Sequence, residues 1–324
     1  MRDTCKLMMT LAGTLIALLS ACPGDSREVT VAYSGRTIAQ VPYQWALKKG
    51  YFKEEGLQVK FVFMSTSIAA KGIMSGDVDY TTTMGGPLRA AIAGVPIVGV
   101  YSMFKPLMYF MAQPRYGQVN DLRGRVLGIS TFGGAYDIVT RLILKHHGLE
   151  PDRDATILQI GDSLTLYAAL KAGSIDAAIL GPPFDIKAEL EGYRRLFDAA
   201  EIFDMPFEGL ATHRQKLQTD RQQIKAMIRA MERARRYLSS HRDEAEGLTR
   251  ELLDLNIQEA KLSVTNLIKS FRQNGRASDE GVTIFIESAL QAIKGKKGSV
   301  TRDQIVDWSV VGEVVAELDR MERR

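Results

Sequence analysis

The stretch Ser65–Pro87 reads STSIAAKGIMSGDVDYTTTMGGP, and a similar stretch, DSLTLYAALKAGSIDAAILGPP, occupies Asp162–Pro183. In each copy, small hydroxyl-bearing residues precede a helix pattern that ends at a glycine, G-x-x-D leads into a short strand, and a Gly-Pro loop follows. Asp79 and Asp176 occupy the same place in the two copies. A helix–strand unit used twice predicts two similar α/β lobes, and two facing lobes form a ligand-binding cleft.

Strand patterns alternate with helix patterns on both sides of these repeats, which predicts an α/β fold with a mostly parallel sheet in each lobe. We expect the chain to cross between lobes near Gln113–Gly117 and to return near Pro206–Thr212. The first lobe then contains residues 29–112 and 207–324, and the second contains residues 113–206. From Gln215 onward the pattern is almost entirely helical.

Composition restricts the class of protein. The chain has 324 residues, 45% hydrophobic and 25% charged, which is ordinary for a folded protein of about two domains. The net charge of +4 is small, and the basic residues are spread along the chain. No nucleic-acid partner is therefore expected.

Residues 1–21 have the pattern of a signal peptide. Two basic residues precede the apolar run Met8–Ser20, which is too short to span a bilayer comfortably as a mature helix. The run ends in Leu-Ser-Ala-Cys, the form of a bacterial lipobox. The sequence predicts cleavage before Cys22, whose thiol would carry a diacylglycerol; an ordinary signal peptide followed by a chance cysteine is the alternative.

The chain has two cysteines, Cys5 and Cys22. Cleavage would remove the first and lipidation would use the second, so the mature domain is predicted to have no free thiol and no disulfide. Residues 22–28 would form a tether to the membrane anchor. This predicts a lipoprotein on the periplasmic or extracellular face of the cell membrane.

Motifs for catalysis and metal binding are missing from the sequence. It contains no H-E-x-x-H, no G-x-S-x-G and no P-loop. His146 and His147 are adjacent, so they point to different sides of a helix and suit a shared metal poorly. For Asp79 and Asp176 we expect a structural role, hydrogen bonding backbone N–H groups at the helix-to-strand turn. We therefore predict no catalytic residue, no metal and no cofactor.

Ligands of open parallel sheets bind beyond the carboxyl ends of strands, where helices begin. Helix N-termini there favour anions, and glycines let the backbone approach a ligand closely. We predict that ligand contacts come from four such loops and from nearby aromatic rings: Ser34, Arg36, Ser65, Thr66, Ser67, Gly85, Gly86, Thr131, Phe132, Gly133, Gly134, Tyr136 and Phe184. The alternative for Ser65 and Thr131 is a role as helix N-caps only, and the alternative for Trp45, on a helix, is a place in the core.

The sequence resembles the solute-binding proteins of bacterial ABC importers for nitrate, sulfonates, taurine and thiamine-type pyrimidine precursors. The matching pieces, in the family's order, are WALKKGYFKEEGL at 45–57, GDVD at 76–79, DLRGR at 121–125, LEPD at 149–152 and ALKAGSID at 169–176. The resemblance implies a two-lobed type 2 periplasmic-binding fold. Two crossing strands act as its hinge, and the C-terminal helices return to the first lobe. It also implies ligand contacts at Ser65–Ser67, at the two glycines 85 and 86, and at Thr131–Ala135.

The resemblance also implies a function. The chain is expected to capture a small organic anion of the sulfonate, taurine or nitrate type, or a pyrimidine-type solute, between closing lobes. It would deliver the solute, as a monomer, to the permease subunits of an ABC importer, while another subunit hydrolyses ATP. Three alternatives stay open: a ligand sensor of the same fold, a pyrimidine-precursor enzyme of the thiamine pathway, and a scaffold with an occluded cleft. Fungal enzymes of that pathway carry a cysteine-rich motif that the mature chain lacks.

Overall fold

The computed structural model describes residues 27–202, 204–292 and 299–323. The predicted signal peptide, Cys22 and residues 22–26 of the predicted tether lie outside this range. The strands are β1 (Arg27–Tyr33), β2 (Leu57–Phe63), β3 (Tyr80–Thr83), β4 (Ile97–Ser102), β5 (Tyr109–Ala112), β6 (Val126–Ile129), β7 (Thr156–Gln159), β8 (Ala177–Leu180), β9 (Arg194–Asp198) and β10 (Glu208–His213).

The strands are linked mainly by helices. The helices are α1 (Val41–Lys48), α2 (Tyr51–Glu54), α3 (Thr66–Ser75), α4 (Gly85–Ile92), α5 (Ala135–His146), α6 (Ser163–Lys171), α7 (Phe184–Leu190), α8 (Lys216–Thr219), α9 (Arg221–Ser240), α10 (Arg242–Leu253), α11 (Ile257–Ser270), α12 (Asp279–Ala292) and α13 (Ser309–Glu322). Short 3₁₀ turns cover Ile38–Gln40, Val119–Leu122, Ala199–Glu201 and Arg302–Gln304. No helix within the described ranges is both long enough and apolar enough to cross a bilayer.

Two five-stranded sheets organise the molecule. The first has the order β2-β1-β3-β10-β4, and the second has the order β7-β6-β8-β5-β9. In each sheet two pairings are parallel and two are antiparallel. The sheets are therefore mixed rather than mostly parallel, because β5 and β10 each arrive from the other sheet and run against their neighbours. The predicted α/β fold of two sheets with a helical C-terminus is confirmed.

The two sequence repeats fold as equivalent units, α3–β3–α4 and α6–β8–α7. The Asp79 carboxylate accepts a hydrogen bond from the Thr30 N–H at 2.9 Å, and the Asp79 N–H donates to the Thr30 carbonyl at 2.9 Å. Asp176 makes the same pair of bonds with Val126, at 2.9 and 2.7 Å. The structural role predicted for both aspartates is confirmed: each fastens the start of its strand to the neighbouring parallel strand.

Two boundaries differ from the prediction. We expected residues up to 112 to belong to the first lobe, but β5 pairs with β8 and β9 of the second sheet, so the chain crosses between β4 and β5. Alternation of apolar residues identifies a strand but not the sheet that it joins. We also expected the tether to reach residue 28, but β1 begins at Arg27, because it pairs with β2 from Leu57 onward.

The C-terminal helices pack mainly on the first sheet's side of the molecule, although α11 also contacts α7 of the second lobe. Helix α9 contacts α1 and α13, and α12 contacts α4. Ile224, Met227, Ile228 and Met231 recur at helical spacing on α9, and each is fully buried. Each such side chain contributes roughly 1.5–3 kcal/mol by leaving water. Trp45 is also buried and stacks on the Tyr237 ring at 5.4 Å, so it is a core residue rather than a cleft wall.

A buried arginine from this C-terminal part joins the two connections between the sheets. Arg272 Nε donates to the Phe104 carbonyl at 2.9 Å, on the connection from β4 to β5. Its Nη2 donates to the Met205 carbonyl at 3.0 Å, on the connection from β9 to β10, and Nη1 pairs with the Asp204 carboxylate. One side chain therefore holds both segments on which any movement between the lobes depends.

Candidate functional site

The two lobes meet where α4 and α5 begin. A Cβ atom placed on Gly85, the first residue of α4, would lie 3.8 Å from the Cβ of Ala135, the first residue of α5. The start of a helix on the first sheet therefore faces the start of a helix on the second. The two lobes approach each other here, near the strand ends where the sequence predicted that a ligand would bind.

The predicted residues of the first lobe gather at the start of α3 and α4. Gly85 and Gly86 form the first turn of α4, rather than a loop before it. A Cβ on Gly86 would lie 2.8 Å from the Oγ1 of Thr66, so glycine is required for this packing. Ser65 is the N-cap residue of α3, but its hydroxyl caps no backbone N–H and lies 3.2 Å from the exposed Ser67 hydroxyl.

An open groove runs along α3 and α4 from these residues. Its volume is about 610 Å³, and it begins at Thr66, Ser67 and Gly86. The rest of its lining is mostly apolar and includes Met74, with Lys71 as its cation. The hydroxyl groups of α3 therefore stand at the rim of a surface depression as well as at the edge of the cleft.

The glycine-rich loop of the second lobe was predicted to contact the ligand, but its backbone N–H groups bond to other groups of the protein. The Gly133 N–H donates to the Asp137 carboxylate at 2.6 Å, and the Phe132 N–H donates to the Gln159 side chain at 3.1 Å. The Gly134 N–H donates to the Thr131 carbonyl, and Gly134, not Thr131, is the N-cap of α5. These three amides are therefore not free to bind an anion. The side chains of Thr131 and Phe132 remain exposed, the ring by 53%.

Arg89 crosses the cleft and was not predicted. Its guanidinium Nη2 lies 2.9 Å from the position that a Cβ on Gly133 would occupy, so the side chain reaches from α4 onto the loop of the other lobe. It forms no ion pair with any described residue, and its buried Nε has no partner there. Burial lowers the pKa of this guanidinium, and the charge of Asp137 acts in the opposite direction.

A chain of polar side chains lies at the carboxyl ends of β1 and β3. The hydroxyls of Ser34 and Thr83 are 2.8 Å apart, and Thr83 Oγ1 donates to Glu208 Oε1 at 3.2 Å. Glu208 is only 7% exposed. Burial raises its pKa to about 8, and hydrogen bonding by Thr83 and Thr82 works against that rise. Ser34 was predicted at the site; Glu208 was not.

Tyr136 forms part of the opposite wall. Its hydroxyl lies 2.7 Å from the Ser163 hydroxyl at the start of α6, and a Cβ on Gly181 would lie 3.4 Å from it. Burial raises the pKa of the Tyr136 phenol, and the charges of Asp185 and Glu208 raise it further. Glu208 belongs to the first sheet and Tyr136 to the second lobe, so the charge of a first-lobe residue affects the pKa of this phenol.

A second buried carboxyl group stands at the start of α7, next to the predicted residue Phe184. The ring of Phe184 packs on Tyr167 at 5.7 Å. Asp185 is fully buried, and its Oδ2 is 3.1 Å from Arg195 Nη2. Burial raises the pKa of Asp185 to about 7, and the Arg195 charge opposes the rise.

Aromatic rings at the strand ends divide into buried and exposed ones. Phe63, which was not predicted, ends β2 with 65% of its surface exposed and meets the Tyr33 ring edge to face at 5.7 Å.

Arg36, which was predicted, lies exposed in the loop after β1. Within the described ranges, no group of three or more His, Cys, Asp or Glu side chains is arranged to hold a metal ion.

Comparisons with known proteins agree with this architecture. The family model described as NMT1/THI5 like matches residues 38–245. The riboflavin-binding protein RibY of Chloroflexus aurantiacus is 26% identical over 289 residues, covering 78% of this chain and 81% of that protein. The 4-amino-5-hydroxymethyl-2-methylpyrimidine phosphate synthase THI13 of Saccharomyces cerevisiae is 31% identical over 160 residues, covering 47% of this chain and 45% of that enzyme.

A solved structure gives the same result for the fold. The alkanesulfonate-binding protein SsuA of Xanthomonas axonopodis pv. citri, bound to MOPS, superposes with a TM-score of 0.69 at 16% identity. The match covers 87% of this chain and 98% of that one. The predicted periplasmic-binding fold is confirmed.

Proposed function

We propose that this chain, which belongs to the NMT1/THI5-like family, is the extracytoplasmic solute-binding protein of an ABC importer. The observation that carries the proposal is the approach of the two lobes, where a Cβ placed on Gly85 of one lobe would lie 3.8 Å from the Cβ of Ala135 in the other. Polar atoms without partners, Arg89 Nε and Glu208 Oε2 among the described residues, lie beside it. Such atoms suit a site completed by a ligand.

Transport would use closure of the lobes. A ligand that contacts both walls binds the closed form more tightly than the open form, so it shifts the population towards closure. The permease would recognise the closed form and receive the solute, while a separate subunit hydrolyses ATP. The chain itself would act as a monomer, held at the membrane by lipid on Cys22, and would bind neither metal nor cofactor.

For the solute we propose a small organic molecule. The exposed rings of Phe63 and Phe132 offer apolar faces at the cleft edge, which favour an organic ligand over a bare inorganic anion such as nitrate. The names of similar proteins include an alkanesulfonate-binding protein, a riboflavin-binding protein and a pyrimidine phosphate synthase, so we propose a solute between a sulfonate such as taurine and a heteroaromatic such as a pyrimidine or riboflavin. A sensor that presents the same closed form to a signalling protein is the alternative within this binding class.

A pyrimidine-precursor enzyme is the second candidate, favoured by the similarity to the yeast synthase. Against it, the two cysteines of the chain are residues 5 and 22, far from the cleft-forming segments in sequence. A turnover assay with a B6-type cofactor decides between the two. Product formation would support the enzyme, and ligand binding without turnover would support the receptor.

The proposal is tested by thermal unfolding of residues 24–324 against riboflavin, 4-amino-5-hydroxymethyl-2-methylpyrimidine, taurine, ethanesulfonate and nitrate. A ligand at 100 times its dissociation constant stabilises a protein by about 2.7 kcal/mol, which raises the melting temperature by several degrees. We expect one chemical class to give such a rise. A flat response across the panel would contradict the proposal for these classes of solute.

A further inference from the structure

We propose that Glu208 and Gln40 form a hydrogen-bond-accepting subsite in the cleft, which takes a part of the ligand that carries N–H donors. The inference rests on the proposed solute-binding function and names the chemistry at one end of that site. It departs from the expectation of a purely anionic solute.

The subsite is a connected network of side chains. Gln40 Nε2 donates to Thr82 Oγ1 at 3.5 Å, and the neighbouring Thr83 Oγ1 donates to Glu208 Oε1 at 3.2 Å. Ser34 extends the network towards solvent, with its hydroxyl 2.8 Å from that of Thr83. The residues come from three places in the chain: the turn before α1, the end of β3 and the start of β10.

Two oxygen atoms of this network lack partners. Gln40 is 6% exposed and Glu208 is 7% exposed. Gln40 Oε1 and Glu208 Oε2 have no hydrogen-bond partner of acceptable geometry in the described part of the chain. Buried polar side-chain atoms of folded proteins are largely paired, and leaving one unpaired costs free energy. An outside group that donates to them would remove this cost.

The network lies at the end of the first sheet that approaches the second lobe. Thr83 ends β3 two residues before Gly85, whose Cβ position is 3.8 Å from Ala135 of the second lobe. Tyr136, also in the second lobe, has its pKa raised in part by the charge of Glu208. The Ser34 side of the network is partly exposed. A ligand between the lobes would therefore come within reach of these oxygens.

The chemistry of the two oxygens selects the ligand group. An amide oxygen and a carboxyl oxygen accept hydrogen bonds, so amine, amidine or ring-imide N–H groups would complete them. The oxygens of a sulfonate or nitrate are acceptors only, so they would leave the buried amide oxygen of Gln40 without a donor. The subsite therefore favours a solute that carries nitrogen-bound hydrogen over one that is only an anion.

The surroundings of Glu208 indicate how pH affects such binding. Tyr43, Tyr136 and the hydroxyls of Thr82 and Thr83 face it, and none of the described lysine or arginine side chains pairs with it. Burial raises the pKa of Glu208 to about 8. A ligand N–H that points at Oε2 favours the ionised carboxylate, so binding should release a proton and tighten as the pH rises through about 8.

The experiment compares matched ligands by calorimetric titration of the purified protein. Riboflavin is paired with 3-methylriboflavin, the aminopyrimidine with its dimethylamino analogue, and taurine with ethanesulfonate. For the pair that binds, we expect the member with the free N–H to bind roughly tenfold more tightly. We expect the Glu208→Met variant to lose this preference. The Gln40→Met variant should weaken the preference for the free N–H, and it serves as an independent probe if Glu208→Met folds poorly. Glu28→Met, at an exposed position, is the control.

Each outcome has one meaning. A preference for the free N–H that Glu208→Met or Gln40→Met removes, and Glu28→Met keeps, supports the subsite. A ligand that binds the wild type and all three variants equally overturns the subsite while the proposed receptor function stands. Equal binding of the two members of a pair by the wild type also overturns the subsite and leaves the receptor function standing. If no member of any pair binds the wild type, the receptor function fails, and the subsite fails with it.

Discussion

The strongest consequence of the cleft's polar network is a pH-dependent loss of stability caused by Glu208. Burial raises its pKa from the ordinary value of 4.5 to about 8. The folded state therefore holds this proton over a range in which the unfolded chain has released it. The resulting stabilisation is fully present below 4.5 and is lost as the pH rises through about 8.

The size of the effect follows from the two pKa values. One pKa unit corresponds to about 1.36 kcal/mol, so between about pH 5 and pH 9 the wild type should lose about 4 kcal/mol of unfolding free energy through this group. Glutamine has the same shape and no titration. We therefore expect the free-energy difference between wild type and Glu208→Gln to change by that amount across this interval, to the disadvantage of the wild type at high pH.

Urea unfolding followed by circular dichroism at several pH values measures this difference directly. Comparison with the variant cancels the contributions of other titrating groups, including Asp185, whose pKa burial also raises. Glu28→Gln, the same exchange at an exposed position, is the matched control. A difference that stays constant within about 0.5 kcal/mol from pH 5 to pH 9 would refute the assignment of Glu208 as a buried carboxyl group without an ion-pair partner among the described residues.

Three further substitutions test the packing that positions the cleft, each measured by urea unfolding. Gly86→Val should cost about 1–3 kcal/mol because a Cβ there lies 2.8 Å from Thr66, whereas the exposed Gly312→Val should cost only the helix propensity of valine. Asp176→Ala should lower the unfolding free energy by about 1–3 kcal/mol because the Val126 N–H loses its acceptor. If Asp176→Ala were as stable as Asp77→Ala, a variant at an exposed position, this reasoning would be contradicted. Arg272→Met should cost about 3–5 kcal/mol because it leaves Asp204 without its cation; a loss below about 1 kcal/mol would show that the two lobe connections do not depend on it.

Much of the architecture could be predicted because it depends on local patterns. The repeated helix–strand unit indicated two α/β lobes. In both copies its aspartate, Asp79 or Asp176, accepts a hydrogen bond from a backbone N–H of the neighbouring parallel strand. The sheet that each strand joins could not be predicted in the same way. β5 has the same apolar pattern whichever sheet it joins, and only the packing of the whole chain places it in the second one.

The site was predicted less completely, for a related reason. Loops at strand ends predicted where a ligand would lie, and Ser34 and Tyr136 remain predicted contacts, with hydroxyl partners at Thr83 and Ser163. Glu208 and Arg89 depend on contacts between distant segments, which no local pattern encodes. The one sequence signal for Glu208 was a lone acid among apolar residues at the start of a buried strand. Nor could the sequence indicate that the Asp137 carboxylate accepts a hydrogen bond from the Gly133 N–H in the glycine-rich loop.

Whether solute binds between the lobes is tested most directly by calorimetric titration of the solute that stabilises the wild type into two matched glycine variants. Gly85→Leu places a bulky side chain where α4 faces Ala135, and Gly312→Leu places the same side chain on an exposed face of α13. The cleft account predicts that Gly85→Leu reduces affinity by roughly tenfold or more while Gly312→Leu binds like the wild type. Unchanged affinity in a folded Gly85→Leu protein would contradict binding by closure of these lobes.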